Sequence, residues 1–108
     1  MHTKQWAVVC DKARVDVWFK SSRGRIHEFA ITLSAIQGDH TQPIVRYDTA
    51  HGGVHRHTFW GKKERIVNNP FGVSDPTLCF RLAYQDIKDN FDRYLEQFKQ
   101  GGEEDEHE

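Results

Sequence analysis

The sequence predicts an α+β fold, an antiparallel β-meander of four to five strands packed against one long C-terminal helix. Three observations carry this. Polar and apolar residues alternate between Ala13 and Leu33, the period of half-buried strands. Apolar residues recur three and four apart between Leu78 and Phe98, the period of a helix with one buried face. Short clusters of Gly, Ser, Asn and Asp separate the strand-like runs, and such spacers join antiparallel neighbours rather than parallel crossovers.

Trp6 to Cys10 is a short apolar run that reads as an opening strand. In Ala13 to Lys20, Val15, Val17 and Phe19 share one face, and Arg14, Asp16, Trp18 and Lys20 the other. Ser21-Ser22-Arg23-Gly24 is a hairpin turn. Arg25 to Leu33 returns, with His27, Phe29, Ile31 and Leu33 on one face. Gln37 to Pro43 is a loop by composition. Ile44 to Asp48 is a short strand, Thr49 to Gly53 turns the chain, and Val54 to Trp60 returns. Gly61 to Glu64 is a further turn, with Arg65 to Val67 as a last short strand. Asn68 to Gly72 breaks the pattern.

Ser74-Asp75-Pro76 opens the helix. Ser74 or Asp75 accepts the unpaired backbone N–H groups, and Pro76 fits where a missing donor costs nothing. The helix from about Asp75 to Lys99 is expected to bury Leu82, Ile87, Phe91, Leu95 and Phe98 on the sheet. Asp86, Lys88, Asp89, Asp92, Arg93 and Glu96 are expected mostly on its solvated side, and Gly101-Gly102 ends it.

A chain of 108 residues can bury a modest core without staples, and its 13 aromatic residues supply much of that area. No apolar run is long enough for a membrane span or a secretory leader, and Cys10 and Cys79 lack metal-type spacing. A cytoplasmic protein with two reduced thiols is expected. The net charge of −1 hides an asymmetry: five of the 16 acids lie in the last eight residues. Residues 1–100 are therefore mildly basic and are read as a single domain, with 101–108 as a disordered acidic tail.

The chemistry concentrates between Val45 and His57, where three of the seven histidines fall within seven residues. His55 and His57 share a strand face, and Gly52-Gly53 can fold His51 back toward them. One reading is a zinc site, with His51, His55 and His57 as ligands, an open fourth position, and Asp48 as a further ligand or an orienting carboxylate. A second needs no cofactor. Cleavage of RNA through its 2′-hydroxyl requires a base, an acid and a cation for the phosphorane charge. The histidines supply the first two, Arg46 and Arg56 bind the phosphate, and Tyr47 supplies a proton or a stacking face. Trp18, Phe59 and Trp60 on a mildly basic sheet suit a single strand. In the third reading the histidines are structural: Asp48 caps the turn, Arg56 pairs with it, Tyr47 is core, and the protein is a non-enzymatic interaction or regulatory module. The cysteines and Ser21-Ser22 lack a nucleophile context.

The block Arg46-Tyr47-Asp48, His51-Gly52, His55 and His57, followed by a C-terminal helix, resembles a group of small, largely uncharacterised prokaryotic proteins that share R-Y-D-x-A-H-G-x-x-H-R. It also resembles the TumE-type toxins of toxin–antitoxin loci, which carry a related Y-D…H-x-H segment. The toxin resemblance implies an RNase-like activity carried by Tyr47, Asp48, His51, His55 and His57, and an antitoxin as protein partner. The leading expectation is thus a metal-independent endoribonuclease of toxin type. Its partners are RNA, an antitoxin and, in a homodimer, a second copy of the chain.

Overall fold

The computed structural model describes residues 1–50, 52–61 and 63–101. It is an α+β architecture with six strands, not four to five: β1 (His2–Val9), β2 (Ala13–Ser22), β3 (Arg25–Gln37), β4 (His40–Asp48), β5 (His55–Thr58) and β6 (Arg65–Asn68), followed by α1 (Pro76–Lys99). The strands form one antiparallel sheet in sequence order. The short runs at each end of the meander are both strands, and β1 begins well before Trp6. The acidic-tail expectation falls on residues 102–108, outside the described residues.

The segment expected to loop from Gln37 to Pro43 is instead a tight hairpin, with β3 running to Gln37 and β4 starting at His40. Gly38 has φ 63 at the first central position, a conformation that matches the right-handed twist of paired strands and that glycine adopts without strain. Polar composition masked these strand ends because they are exposed. The register slips between Leu33 and Ser34, which face Val45 and Pro43 and leave Ile44 as a bulge. The bulge lets consecutive residues Ile44 and Val45 both be buried, and it occurs beside Pro43, which has no ladder donor. A second slip, between Lys20 and Ser21, sets His27 out of register. His27 is therefore exposed rather than on the apolar face, and Ile26 packs against the core in its place.

Asp75 caps α1, accepting from Thr77 N at 3.1 Å, with Pro76 in the first turn. The same carboxylate accepts from Arg25 at 2.6 Å, and Thr77 Oγ1 accepts from Ile26 N at 2.9 Å, so the helix start is tied to the start of β3. The Arg25 hydrogen bond holds the Asp75 carboxyl below its ordinary range. The helix packs on β3 and β4, and its buried residues are Thr77, Cys79, Ala83, Ile87, Tyr94 and Leu95. Leu82, expected in the core, is 37% exposed, and Phe91 and Phe98 are only half-buried at its margin. The contact line follows Cys79, Ala83 and Ile87, four residues apart, and Leu82 lies beside it rather than on it. Among the described residues no helix is long and apolar enough to cross a membrane.

Ile87→Ala is expected to lower the unfolding free energy by about 2–5 kcal/mol. Leu82→Ala should cost less than about 1 kcal/mol, as exposed positions do. Urea denaturation of the two variants checks the assignment of the buried stripe. Burial pushes the Cys79 thiol up, whereas Cys10 is exposed. A thiol reagent on the native protein should modify Cys10 rapidly and Cys79 only on unfolding.

Candidate functional site

The β4–β5 hairpin decides where each candidate side chain points. Tyr47 pairs with Arg56, Arg46 with His57, and Asp48 with His55. Cross-strand partners share a face, so Arg46, Asp48, His55 and His57 stand on the open face of the sheet, away from α1. Tyr47 and Arg56 stand on the helix face. The structure therefore divides the seven candidates: four together on one side, two on the other. The remaining one, His51, lies outside the described residues.

On the open face, Asp48 is 8% exposed. Its Oδ2 accepts from Arg46 Nε at 2.9 Å and lies 3.3 Å from His57 Nε2, while Oδ1 accepts from the backbone N of Ala50 at 3.3 Å. Asp48 thus caps the turn, as the structural reading expected, but its arginine is Arg46 and not Arg56. On the far side of the imidazole, His57 Nδ1 is 3.5 Å from Glu64 Oε1. The ring lies parallel to Phe59 with centroids 6.2 Å apart, and the Arg46 guanidinium sits 5.5 Å from the same Phe59 ring. His55 is 6.4 Å from His57 between ring centroids. Its Nδ1 is 2.7 Å from Asn68 Oδ1 on β6. An amide oxygen only accepts, so in this contact His55 Nδ1 is the donor.

A hollow of about 540 Å³ opens beside His55, between the β4–β5 turn, the end of β6 and the start of α1. Thr49 anchors that turn: its Oγ1 accepts from Phe29 N at 2.9 Å, and its backbone N donates to Phe29 O at 3.1 Å. Gly52 takes φ 83, which a side chain would make strained.

Behind the sheet, Tyr47 and Tyr94 donate to the same oxygen, Asp86 Oδ2, at 2.6 and 2.5 Å, and Asn90 donates to Asp86 Oδ1 at 2.8 Å. Asp86, expected on the solvated side of α1, instead faces the sheet. Arg56 donates weakly to Tyr94 at 3.4 Å, and its guanidinium lies 5.4 Å from the Tyr94 ring. Tyr47 also stacks on Phe71, and Trp60 stacks on Tyr94. Trp60 thus belongs to the helix face, while Trp18 and Phe59 belong to the open one. This network locks α1 to β4 and β5.

Glu64, Asn68 and Asp86 were missed from the sequence as site residues. Asp86, Asn90 and Tyr94 recur four apart, a spacing that puts three polar groups on one helix line and was legible in principle. Glu64 and Asn68 had no such signal, since only the β5–β6 register brings them to the histidines.

Among the described residues no group of three or more His, Cys, Asp and Glu side chains is arranged to hold a metal ion. The zinc reading included His51 and so extends beyond them.

Burial and the hydrogen bond to Asp86 push the Tyr47 phenol far above its ordinary 10.0, and the same two causes raise Tyr94. Both phenols stay protonated in the folded chain at a pH where the unfolded chain ionises. Their contribution to stability is complete below pH 10.0 and lost as pH rises beyond it. Unfolding free energies measured through the alkaline range should fall in the wild type and fall less steeply in Tyr47→Phe.

Comparison with curated proteins gives no match, and neither does comparison with solved structures. One family model does match, a domain of unknown function (DUF7718), over residues 1–104. That span takes in the whole sheet, α1 and both faces of the β4–β5 hairpin, and the chain belongs to the DUF7718 family.

Proposed function

We propose that the protein is a metal-independent, RNase-like enzyme of toxin type that acts on RNA phosphodiesters from the open face of β5. One observation carries the reading. Among the described residues, the buried side-chain N and O atoms without a hydrogen-bond partner are His55 Nε2, Arg56 Nε and His57 Nδ1. They fall on three consecutive residues. On the open face, His55 Nε2 has no partner and His57 Nδ1 has only the 3.5 Å ion pair with Glu64; folded proteins pair nearly all buried polar groups, so these imidazole nitrogens favour a ligand that completes them.

The roles follow from what holds each group. His55, with its Nδ1 proton on Asn68, offers the Nε2 lone pair as base for a 2′-hydroxyl. His57, oriented between Asp48 and Glu64, delivers a proton to the leaving oxygen. Arg46 bonds Asp48 through Nε, which leaves its terminal nitrogens for the phosphorane charge. Tyr47 and Arg56 support the hairpin from behind. His55 Nε2 and His57 Nδ1 are buried, so a substrate reaches them only when the side chains that cover them give way. The resemblance to toxins of toxin–antitoxin loci adds an antitoxin as the partner that would mask this face.

A second reading, a non-enzymatic interaction protein with a structural histidine hairpin, is favoured by the charges of the same face. Arg14 pairs with Asp16, Lys20 with Glu28 and Arg46 with Asp48, which leaves little unpaired positive field for a polyanion.

The two readings separate in one set of measurements. Cleavage of single-stranded RNA should persist in EDTA, show a bell-shaped pH profile, and fall by roughly 10²–10⁴ in His55→Ala or His57→Ala. The thermal melts of those variants should stay close to wild type. An inactive, folded wild type together with destabilised histidine variants would establish the structural reading instead.

A further inference from the structure

Among the described residues β1 pairs with β2 alone, which makes it an edge of the sheet. Edge strands are normally protected by shortness, proline, bulges or charge. The other edge, β6, is only four residues long. β1 runs for eight residues without a bulge or a proline, and Lys4 is its one Lys, Arg, Asp or Glu. It also exposes Trp6, Val8 and Val9, at 36%, 53% and 60%. The hydrogen bond from Cys10 N to Ala13 O, at 2.9 Å, fixes which backbone groups face outward. In the β1–β2 register the even-numbered residues bond β2, so the N–H and C=O groups of Thr3, Gln5, Ala7 and Val9 point to the open side. Trp6 and Val8 stand on the helix face. Trp6 packs edge-on to Phe19 with ring centroids 5.9 Å apart, and Val8 lines an apolar hollow of about 180 Å³ that runs to Tyr84 and Phe91 of α1.

We infer that β1 pairs antiparallel with β1 of a second copy of this chain, about a twofold axis at Ala7, so that two sheets join into one. An open strand edge offers a fixed row of donors and acceptors, which another extended strand matches. The side chains of β1 select its own copy as that strand. With the axis at Ala7, Ala7 meets Ala7 of the second copy, Gln5 meets Val9, and the outward groups close about six ladder hydrogen bonds. Trp6 of each copy then faces Val8 of the other at the closely spaced, non-hydrogen-bonded position. Cross-strand partners share a face, so this apolar contact forms on the helix face, at the mouth of the hollow. The two Lys4 side chains fall at opposite ends of the overlap. An axis at Gln5 sets Val8 opposite His2, and an axis at Trp6 sets it opposite Lys4, so both leave Val8 against a polar residue. Identical edges also close on themselves as a dimer, whereas β1 against β6 would propagate as a filament. The pairing lies at the far end of the sheet from β5 and does not depend on the acid–base reading.

Sedimentation equilibrium of the full chain, from micromolar to submillimolar concentration, should show a monomer–dimer equilibrium that stops at the dimer. Ala7→Pro removes an outward N–H and leaves the β1–β2 ladder intact. Val8→Lys puts a charge opposite Trp6 of the second copy. Each should weaken the dimer by about tenfold or more. Melts that match the wild type at concentrations where it is monomeric establish that both variants fold. In a Cys10→Ser background, mild oxidation should crosslink Ala7→Cys across the axis and leave Gln5→Cys monomeric. A wild type that stays monomeric over the whole range would overturn the inference and leave the edge to a strand of a different protein. Assembly that grows past the dimer would overturn it by showing that unlike edges pair. A dimer unchanged in both Ala7→Pro and Val8→Lys, or a crosslink in Gln5→Cys with none in Ala7→Cys, would also sink it.

Discussion

One helix covering a six-stranded sheet is the constraint from which the rest follows. Neighbouring strands lie about 4.8 Å apart, so six of them are far wider than a helix of about 10 Å diameter. α1 packs on β3 and β4, and most of the core lies on β2, β3, β4 and the helix, with Val54 of the β4–β5 turn beside it. Every residue of β1 and every residue of β6 is exposed. Among the described residues the open face has no second layer, so its order comes from paired charges and from side chains lying on their neighbours. A polar cluster can exist there because nothing apolar competes for the space.

Much of the fold was legible because alternation and helical spacing are direct images of burial. β2, β3 and α1 are half-buried along most of their length, and their patterns are clear. β1 and β6 bury no residue on either face, so their sequences have no reason to alternate and only short apolar runs marked them. The turn at Gly38-Asp39 was read too long for a similar reason: His40, Thr41 and Gln42 form the exposed start of a strand, and exposed strand residues look like loop. Bulges are the other blind spot. Ile44 and His27 each shift a strand by one residue, and nothing local announces it.

The site was legible where it depends on a single strand. Period two puts His55 and His57 together, and the same rule puts Arg56 behind them and Tyr47 behind Arg46 and Asp48. Grouping all of these by sequence proximity joined two sites that the sheet separates. The partners that give each imidazole its orientation come from β4 for His57 and from β6 for His55. Those contacts are set by register between strands, which the residues of β5 alone do not encode.

The polar groups behind the sheet and those in β5 are satisfied to different degrees. Behind the sheet, Asp86 takes three hydrogen bonds and each buried phenol has an acceptor, so that network is a finished structural joint. In β5, His55 Nε2 on the open face and Arg56 Nε on the helix face have no hydrogen-bond partner among the described residues, and His57 Nδ1 has only its 3.5 Å ion pair with Glu64. An unsatisfied buried group costs about 1–3 kcal/mol. Threonine and valine at these positions would keep the strand and remove the cost. On the RNase-like reading proposed above, the partners of the open-face imidazoles arrive with the substrate.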